Sequence, residues 1–177
     1  MNNYKENEVK ILDIDVASLK LELEKLGAQK VYEGNRVFTT FDTSEKKYSK
    51  ENTIIRLTEE DKLKLSVSSA LKDGSKETVK VFTSRKQETI DFLTKLDLFP
   101  IAQVTSHRTS YEFVDIDFDI DEFPGIPAFL EIDVEHLGKP LEELLLDLKL
   151  NGKEIFVGGT EDIYKKYGKD YFELFKV

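Results

Sequence analysis

The most constraining feature of this sequence is an aspartate at every second position of residues 115–121, with Ile116, Phe118 and Ile120 between them. Successive side chains of a β-strand point to opposite faces, so this segment predicts a strand with one apolar face and one face of carboxylates. Residues 129–134 repeat the alternation with Leu, Ile and Val against Glu and Asp. Strands of this kind are typical of an antiparallel sheet that buries one side under helices.

The same alternation, interrupted by turn residues, predicts strands at residues 4–14, 30–42, 52–59, 62–70, 76–82, 100–114, 115–121 and 127–134. Helices are predicted from Asp15 to Gly27, after Ser84 with Gln87 in a capping box and Ile90, Leu93 and Leu96 inward, from Pro140 to near Gly152, and from Thr160. Strands with segregated helices define an α+β fold. A length of 177 residues, 40% of them hydrophobic, favours a single domain over residues 1–177.

The carboxylates cluster on a few strands, where like charges facing one another would destabilise a sheet. Hard cations such as Mg²⁺ or Mn²⁺ relieve this repulsion by taking oxygen ligands. If the sheet closes into a barrel, its charged faces turn inward around a ligand. For any single strand, a solvated charged face is the alternative. The candidate metal ligands are Glu6, Glu8, Asp121, Glu131 and Asp133.

Basic residues share the parity of the charged face on other strands. Lysine and arginine on one wall and carboxylates on another suit a polyphosphate bridged by a metal ion. For each lysine alone, a solvated strand position is the alternative. These candidate substrate-binding residues are Arg56, Lys64, Lys76, Lys80 and Arg108, with Lys62 sharing their parity.

Composition excludes several other classes of protein. The net charge of −9 argues against a nucleic-acid or anionic-membrane partner, although a pocket can be basic inside an acidic shell. The absence of cysteine excludes disulfides, thiolate nucleophiles and cysteine-ligated zinc, and favours the cytoplasm. His107 and His136 are not spaced as a metal-binding pair. No apolar signal sequence or membrane-spanning run is present.

At this point the sequence resembles the CYTH domain of the triphosphate-tunnel superfamily, which includes class IV adenylyl cyclases, thiamine triphosphatases and inorganic triphosphatases. Residues 6–10 match its ExExK signature, and residues 36–43 are similar to its second strand and FDT turn. Residues 55–57 resemble the first half of its LRIR strand, and residues 108–111 its Arg-x-x-Tyr segment. Residues 120–133 are similar to its LD-x-x-x-G-x-x-x-FLEIE block.

The resemblance implies a closed eight-stranded antiparallel tunnel with helices outside and an ionic interior. It implies that the five carboxylates named above hold Mg²⁺ or Mn²⁺. It also implies that Lys10, Arg56 and Arg108 contact phosphates as catalytic and substrate-binding residues. The ligand would be a small-molecule triphosphate such as ATP or tripolyphosphate. Proteins of this family are often dimers, so a homodimer is a further expectation.

Several positions depart from the family pattern. Thr58, Ser68 and Ser106 stand where the family has basic residues, and Thr78 and Lys80 stand where it has acids. Asp133 replaces the usual second glutamate, which keeps the charge and shortens the reach. The metal side is thus mostly retained while the phosphate side has changed, with Lys64, Lys76 and Lys80 as candidate replacements.

Three functions are therefore open at this stage. The first is metal-dependent cleavage of a triphosphate, either by hydrolysis or by conversion of ATP to cyclic AMP. The second is a catalytically degenerate tunnel that binds a nucleotide, polyphosphate or other organic anion. The third is a protein-interaction domain with an acidic outer surface, which predicts that substituting Glu6 and Glu8 leaves function intact.

Overall fold

The computed structural model describes residues 4–5, 8–70, 76–134 and 137–177. The chain divides into two compact units. Within the described residues, the first unit comprises 4–5, 36–70, 76–105 and 168–177, and the second comprises 8–35, 106–134 and 137–167. The expectation of a single domain over the whole chain stays a prediction.

The described strands are β1 Tyr4–Lys5, β2 Glu8–Ile11, β3 Gln29–Asp42, β4 Thr53–Glu59, β5 Leu63–Ala70, β6 Lys76–Thr83, β7 Phe99–Phe113, β8 Ile116–Glu122, β9 Phe129–Asp133 and β10 Ile155–Phe156. The described helices are α1 Val16–Leu26, α2 Lys47–Lys50, α3 Lys86–Lys95, α4 Leu141–Asp147, α5 Thr160–Lys166 and α6 Tyr171–Leu174. The predicted first strand, residues 4–14, is two strands because β1 pairs with β6 whereas β2 pairs with β9 and β10.

In the first unit the hydrogen-bonded strand order is β1-β6-β5-β4-β3-β7, and β3 and β7 each have residues in both units. The core of this unit lies on the face that carries Phe41, Ile55 and Leu57, with Leu93 of α3 packed on it. The C-terminal segment docks on the same unit, because Gln103 N donates to Phe175 O at 2.8 Å.

In the second unit the strand order is β3-β7-β8-β9-β2-β10. The apolar residues of the alternating segments form its core, under α1 and α4. Asp15 begins α1 by accepting from Ser18 N at 2.7 Å, and Gly27, at φ 93°, ends it as predicted. The core contains Leu19, Leu23, Phe118, Ile120, Leu130, Ile132, Leu144 and Leu145, among others.

Two details of the predicted second helix are wrong. Helix α3 begins at Lys86, so its N-cap residue is Arg85 and not Ser84. Gln87 is then the second residue of the helix, whereas a capping box requires Glu or Gln at the third. The Gln87 side-chain amide donates instead to Asp91, four residues on, at 2.9 Å. Leu96 follows the last helical turn and is exposed rather than inward.

The α+β class and the antiparallel pairing of the strands are confirmed. Among the described strands, the order in neither unit returns to its first strand, so closure into an eight-stranded barrel stays a prediction. Among the helices that the structure describes, none combines the length and the apolar character that crossing a bilayer requires.

Candidate functional site

The charged face of the second unit is assembled by strand register. Residues paired across antiparallel strands lie on the same face of the sheet, so two cross-strand rows bring the predicted residues together. The first row crosses β7, β8, β9 and β2 through Ser110, Asp119, Glu131 and Lys10. The second row pairs Arg108 of β7 with Asp121 of β8. Two residues beyond the first row, on the same face of β2 and β9, are Glu8 and Asp133.

Arg108 is the centre of this face. Its Nε donates to Asp121 Oδ1 at 2.8 Å, and its Nη2 donates to Asp121 Oδ2 and, at 2.5 Å, to Glu131 Oε2. Its Nη1 donates to Asp119 Oδ2. Burial opposes the charged form, but Asp121 and Glu131 outweigh it and raise the pKa of Arg108 well above its usual value. Arg108 therefore holds three carboxylates around one guanidinium.

Lys10 supplies the second positive charge of this face. Its Nζ lies 2.9 Å from Glu131 Oε1 and 3.8 Å from Glu8 Oε2. The residue is buried, which by itself would lower its pKa, but the attraction of Glu131 and Glu8 prevails and raises it. Glu131 thus forms two ion pairs, with Lys10 at one carboxylate oxygen and with Arg108 at the other.

Asp119 and Ser110 belong to this group and were not singled out from the sequence. Ser110 Oγ donates to Asp119 Oδ1 at 2.5 Å, which orients the carboxylate toward Arg108. Asp119 lies in the alternating aspartate segment, but the pattern alone ranks it no higher than Asp117. The structure distinguishes the two by their partners: Asp119 pairs with Ser110 on β7 and Glu131 on β9, whereas the β7 partner of Asp117 is Glu112.

Further carboxylates continue this face beyond Arg108. Asp117 pairs with Glu112, and its pKa is raised by burial and by the like charges of Glu112 and Asp119. Glu8 pairs with Asp133 across β2 and β9. Glu6, the remaining predicted metal ligand, lies outside the described residues.

The chemistry of this donor set fits a hard divalent cation, because Asp121, Glu131, Glu8 and Asp133 offer carboxylate oxygens only. Nevertheless, among the residues that the structure describes, no group of three or more acids or histidines has its ligand atoms ready around one metal position. Both carboxylate oxygens of Asp121 and both of Glu131 instead face Arg108 or Lys10.

The charged face of the first unit is rich in bases. Arg56 pairs with Thr40 and Ser66, and Ser66 pairs with Lys80, so these four lie in one row. Lys64 lies two residues from Ser66 on the same face. The predicted residues Arg56, Lys64 and Lys80 are therefore brought to one face of this unit. Lys76 begins β6, and only its backbone is described.

Arg36 is a further base of this face that the sequence did not single out. It is 5% exposed, and its guanidinium lies 4.8 Å from the centre of the Phe38 ring. The guanidinium of Arg56 lies 5.2 Å from the same ring. An aromatic ring attracts cations through its quadrupole, so Phe38 helps to hold both arginines in place. Arg36 Nε also lies 3.8 Å from Glu60 Oε1.

The departures from the family pattern are mostly buried hydroxyl groups. Ser68 and Thr78 hydrogen-bond to each other at 2.9 Å, and Thr58 is buried in register with Lys64. In the second unit, Ser106 is also buried.

The two histidines lie outside this comparison. His107 Nδ1 is hydrogen-bonded to Asn35 Oδ1 at 3.1 Å, and His136 lies outside the described residues.

Several solved structures share this fold. A candidate adenylate cyclase from Vibrio parahaemolyticus gives a TM-score of 0.75 at 12% identity, covering 93% of this chain and 99% of that chain. The PH1012 protein from Pyrococcus horikoshii OT3 gives 0.71 at 16% identity, covering 89% and 98%. HpAC1 from Hippeastrum, a candidate adenylyl cyclase described as having a dominant triphosphatase activity, gives 0.65 at 16% identity, covering 92% and 95%.

These likenesses confirm the predicted resemblance at the level of the fold, since the match extends over nearly the full length of both chains. The protein is accordingly a divergent chain with a CYTH-like fold. No family model matches its sequence, and no curated protein matches it.

Proposed function

We propose that this protein is a metal-dependent enzyme acting on a triphosphate-bearing small molecule. The reaction is either hydrolysis of an inorganic or organic triphosphate or conversion of ATP to cyclic AMP. The observation that carries the proposal is the cluster in which Arg108 and Lys10 hold Asp119, Asp121 and Glu131, with Lys10 and Asp121 buried and the others partly buried. Apolar side chains of similar volume often stabilise a domain as well as a buried ion cluster does, so stability alone does not account for these charges, and binding of a charged ligand does.

Two further observations support this proposal. The charged face of the first unit carries Arg36, Arg56, Lys64 and Lys80, whose donors match phosphate oxygens. Among proteins with this fold, some are described as candidate adenylate cyclases and one as having a dominant triphosphatase activity. We also propose that the strands close into the eight-stranded barrel expected for a tunnel enzyme.

In this proposal the charged residues fall into groups with different roles. Asp121 and Glu131, with Glu8, Asp133 and Glu6, hold Mg²⁺ or Mn²⁺. The cation, when bound, neutralises charge on the phosphate oxygens. Arg56, Lys64, Lys80 and the predicted Lys76 bind and orient the triphosphate, and Lys10 and Arg108 stabilise negative charge that develops during the reaction. The chain needs no protein nucleophile for this chemistry.

The proposal is tested by an end-point assay with tripolyphosphate and, separately, ATP, each with Mg²⁺ or Mn²⁺. Release of orthophosphate identifies a triphosphatase, and formation of cyclic AMP identifies a cyclase. Glu131→Gln should abolish either activity, whereas Glu142→Gln, on the exposed side of α4, should leave it unchanged. Absence of both products from folded native protein would contradict the enzymatic proposal.

Binding without turnover is the second candidate function. It is favoured by Ser68 and Thr78, which bond to each other where the family pattern has charged residues. A binding module predicts that tripolyphosphate raises the melting temperature while no product forms, because a ligand that prefers the folded state stabilises it.

A cytoplasmic location, a homodimer, and the lack of nucleic-acid and membrane partners are also retained as predictions.

A further inference from the structure

Arg108 has almost no donor left for a phosphate in this structure. A guanidinium has five N–H donors. Arg108 makes hydrogen bonds from Nε to Asp121, from Nη1 to Asp119, and from Nη2 to both Asp121 and Glu131. The arginine that the resemblance assigns to the phosphate is therefore engaged with the carboxylates that it assigns to the metal.

The carboxylates are engaged to the same degree. Asp121 presents both oxygens to Arg108, and Glu131 presents one oxygen to Arg108 and the other to Lys10. A divalent cation that took these oxygens would stand against the guanidinium, and two positive charges repel strongly where little water screens them. The cation and the guanidinium thus compete for the same oxygens.

We propose that Arg108 and the divalent cation exchange places on Asp121 and Glu131 when triphosphate binds. The cation enters the carboxylate cluster as Arg108 leaves it for a phosphate group. This inference rests on the proposed function and adds a regulation to it: metal and triphosphate bind cooperatively, and each binds weakly alone.

The exchange follows from the cost of leaving buried charges without partners. If Arg108 turned to a phosphate with no metal present, Asp121, which is 1% exposed, would lose its counter-charge. If a metal entered with no triphosphate present, the displaced guanidinium would lose its anions. Each ligand supplies the partner that the other removes, and such a coupling is reciprocal by thermodynamic necessity.

The exchange is tested by titrating Mn²⁺ alone into native protein, Arg108→Gln and the control Arg85→Gln by calorimetry. Arg85 has an exposed side chain and precedes α3, outside both charged faces. Without its resident cation, Arg108→Gln should bind Mn²⁺ about tenfold more tightly than native protein, as expected for a coupling of ordinary size. Arg85→Gln should match native protein. Equal Mn²⁺ affinities of native protein and Arg108→Gln would overturn the exchange.

A second variant covers the case in which Arg108→Gln does not fold. Arg108→Lys keeps one positive charge but loses the bidentate contact with Asp121, so it should give an intermediate Mn²⁺ affinity. In this arm a Mn²⁺ affinity equal to that of native protein overturns the exchange.

The titration contains no triphosphate and requires no turnover, so its outcome separates the two proposals. Tighter Mn²⁺ binding by Arg108→Gln in a protein without triphosphate activity would sustain the competition between Arg108 and the cation, on which the exchange depends, and contradict the enzyme. Metal-dependent activity with unchanged Mn²⁺ binding would do the reverse.

Discussion

Arg108 donates from Nε and Nη2 to the two carboxylate oxygens of Asp121, whose side chain is 1% exposed. This bidentate pair joins neighbouring residues of β7 and β8 directly across the sheet. Because Arg108 also reaches Asp119 and Glu131, the pair fixes the positions of three carboxylates at once. The charged face of the second unit is therefore organised around one guanidinium.

The first prediction concerns the contribution of this pair to stability. Asp121→Asn removes the buried charge that faces Arg108, and we expect it to lower the free energy of unfolding by about 1–3 kcal/mol. Asp115→Asn, in the exposed turn between β7 and β8, should change it by less than about 0.5 kcal/mol. Urea unfolding of both variants measures the difference. Equal midpoints for the two variants would show that the pair contributes nothing net.

The second prediction concerns the metal. Glu131→Gln keeps the shape of the side chain but removes the charge that a hard cation requires, so Mg²⁺ or Mn²⁺ should bind more weakly by about tenfold or more in the presence of triphosphate. Glu142→Gln is the matched control, since Glu142 is exposed on α4. Calorimetric titration compares the two, and equal metal affinities would remove Glu131 from the metal site.

The third prediction concerns the phosphate side. Arg56→Ala removes one of the two guanidinium groups beside Phe38, and we expect tripolyphosphate affinity to fall by about tenfold or more, as for loss of a charged hydrogen bond. Arg85→Ala also removes one positive charge, but from an exposed side chain outside this face. If both variants bind tripolyphosphate like native protein, the phosphate site lies elsewhere.

The fourth prediction concerns a capping carboxylate in the first unit. Asp42 is buried and accepts hydrogen bonds from Ser49 Oγ and N, Tyr48 N and Thr43 N. Burial alone would raise its pKa, but these bonds outweigh it and hold the pKa below its usual 3.8. Asp42→Asn should therefore reduce the free energy of unfolding by about 1–3 kcal/mol at neutral pH.

The pH dependence of this contribution has a definite sign. A carboxyl whose folded pKa is lowered stabilises the protein fully above its unfolded pKa and loses that contribution as pH falls through the folded pKa. The gap between native protein and Asp42→Asn should accordingly narrow below about pH 4. Asp61→Asn, at an exposed position, is the control. A difference in unfolding free energy between native protein and Asp42→Asn that does not narrow as the pH falls from about 4 to about 2 would contradict the assignment.

Much of the fold could be read from local sequence patterns. The aspartate alternation of residues 115–121 located β8 and its two faces, and Asp15 and Gly27 located the ends of α1. These features are local, because side-chain parity and helix caps depend on a few consecutive residues. The capping box predicted at Ser84 is wrong because α3 begins one residue later, and the Gln87 side chain donates a hydrogen bond to Asp91.

The candidate site could be predicted only as a set of residue types on faces. Parity placed Arg56, Lys64 and Lys80 together, and the structure brings them to one face. Parity could not separate Asp119 from Asp117, because both lie on the same side of β8. It also gave no reason to choose Arg36, whose position beside Phe38 depends on packing.

The sequence by itself determined the α+β class, the antiparallel strands with one charged face, and the carboxylates and bases available to a ligand. Only the tertiary structure decided which charges meet. Register pairs Arg108 with Asp121 and Asp119 with Glu131, and thereby places a guanidinium among carboxylates that the sequence had offered to a metal. The reason is physical: parity is a property of each strand alone, whereas a cross-strand contact depends on how two strands are aligned.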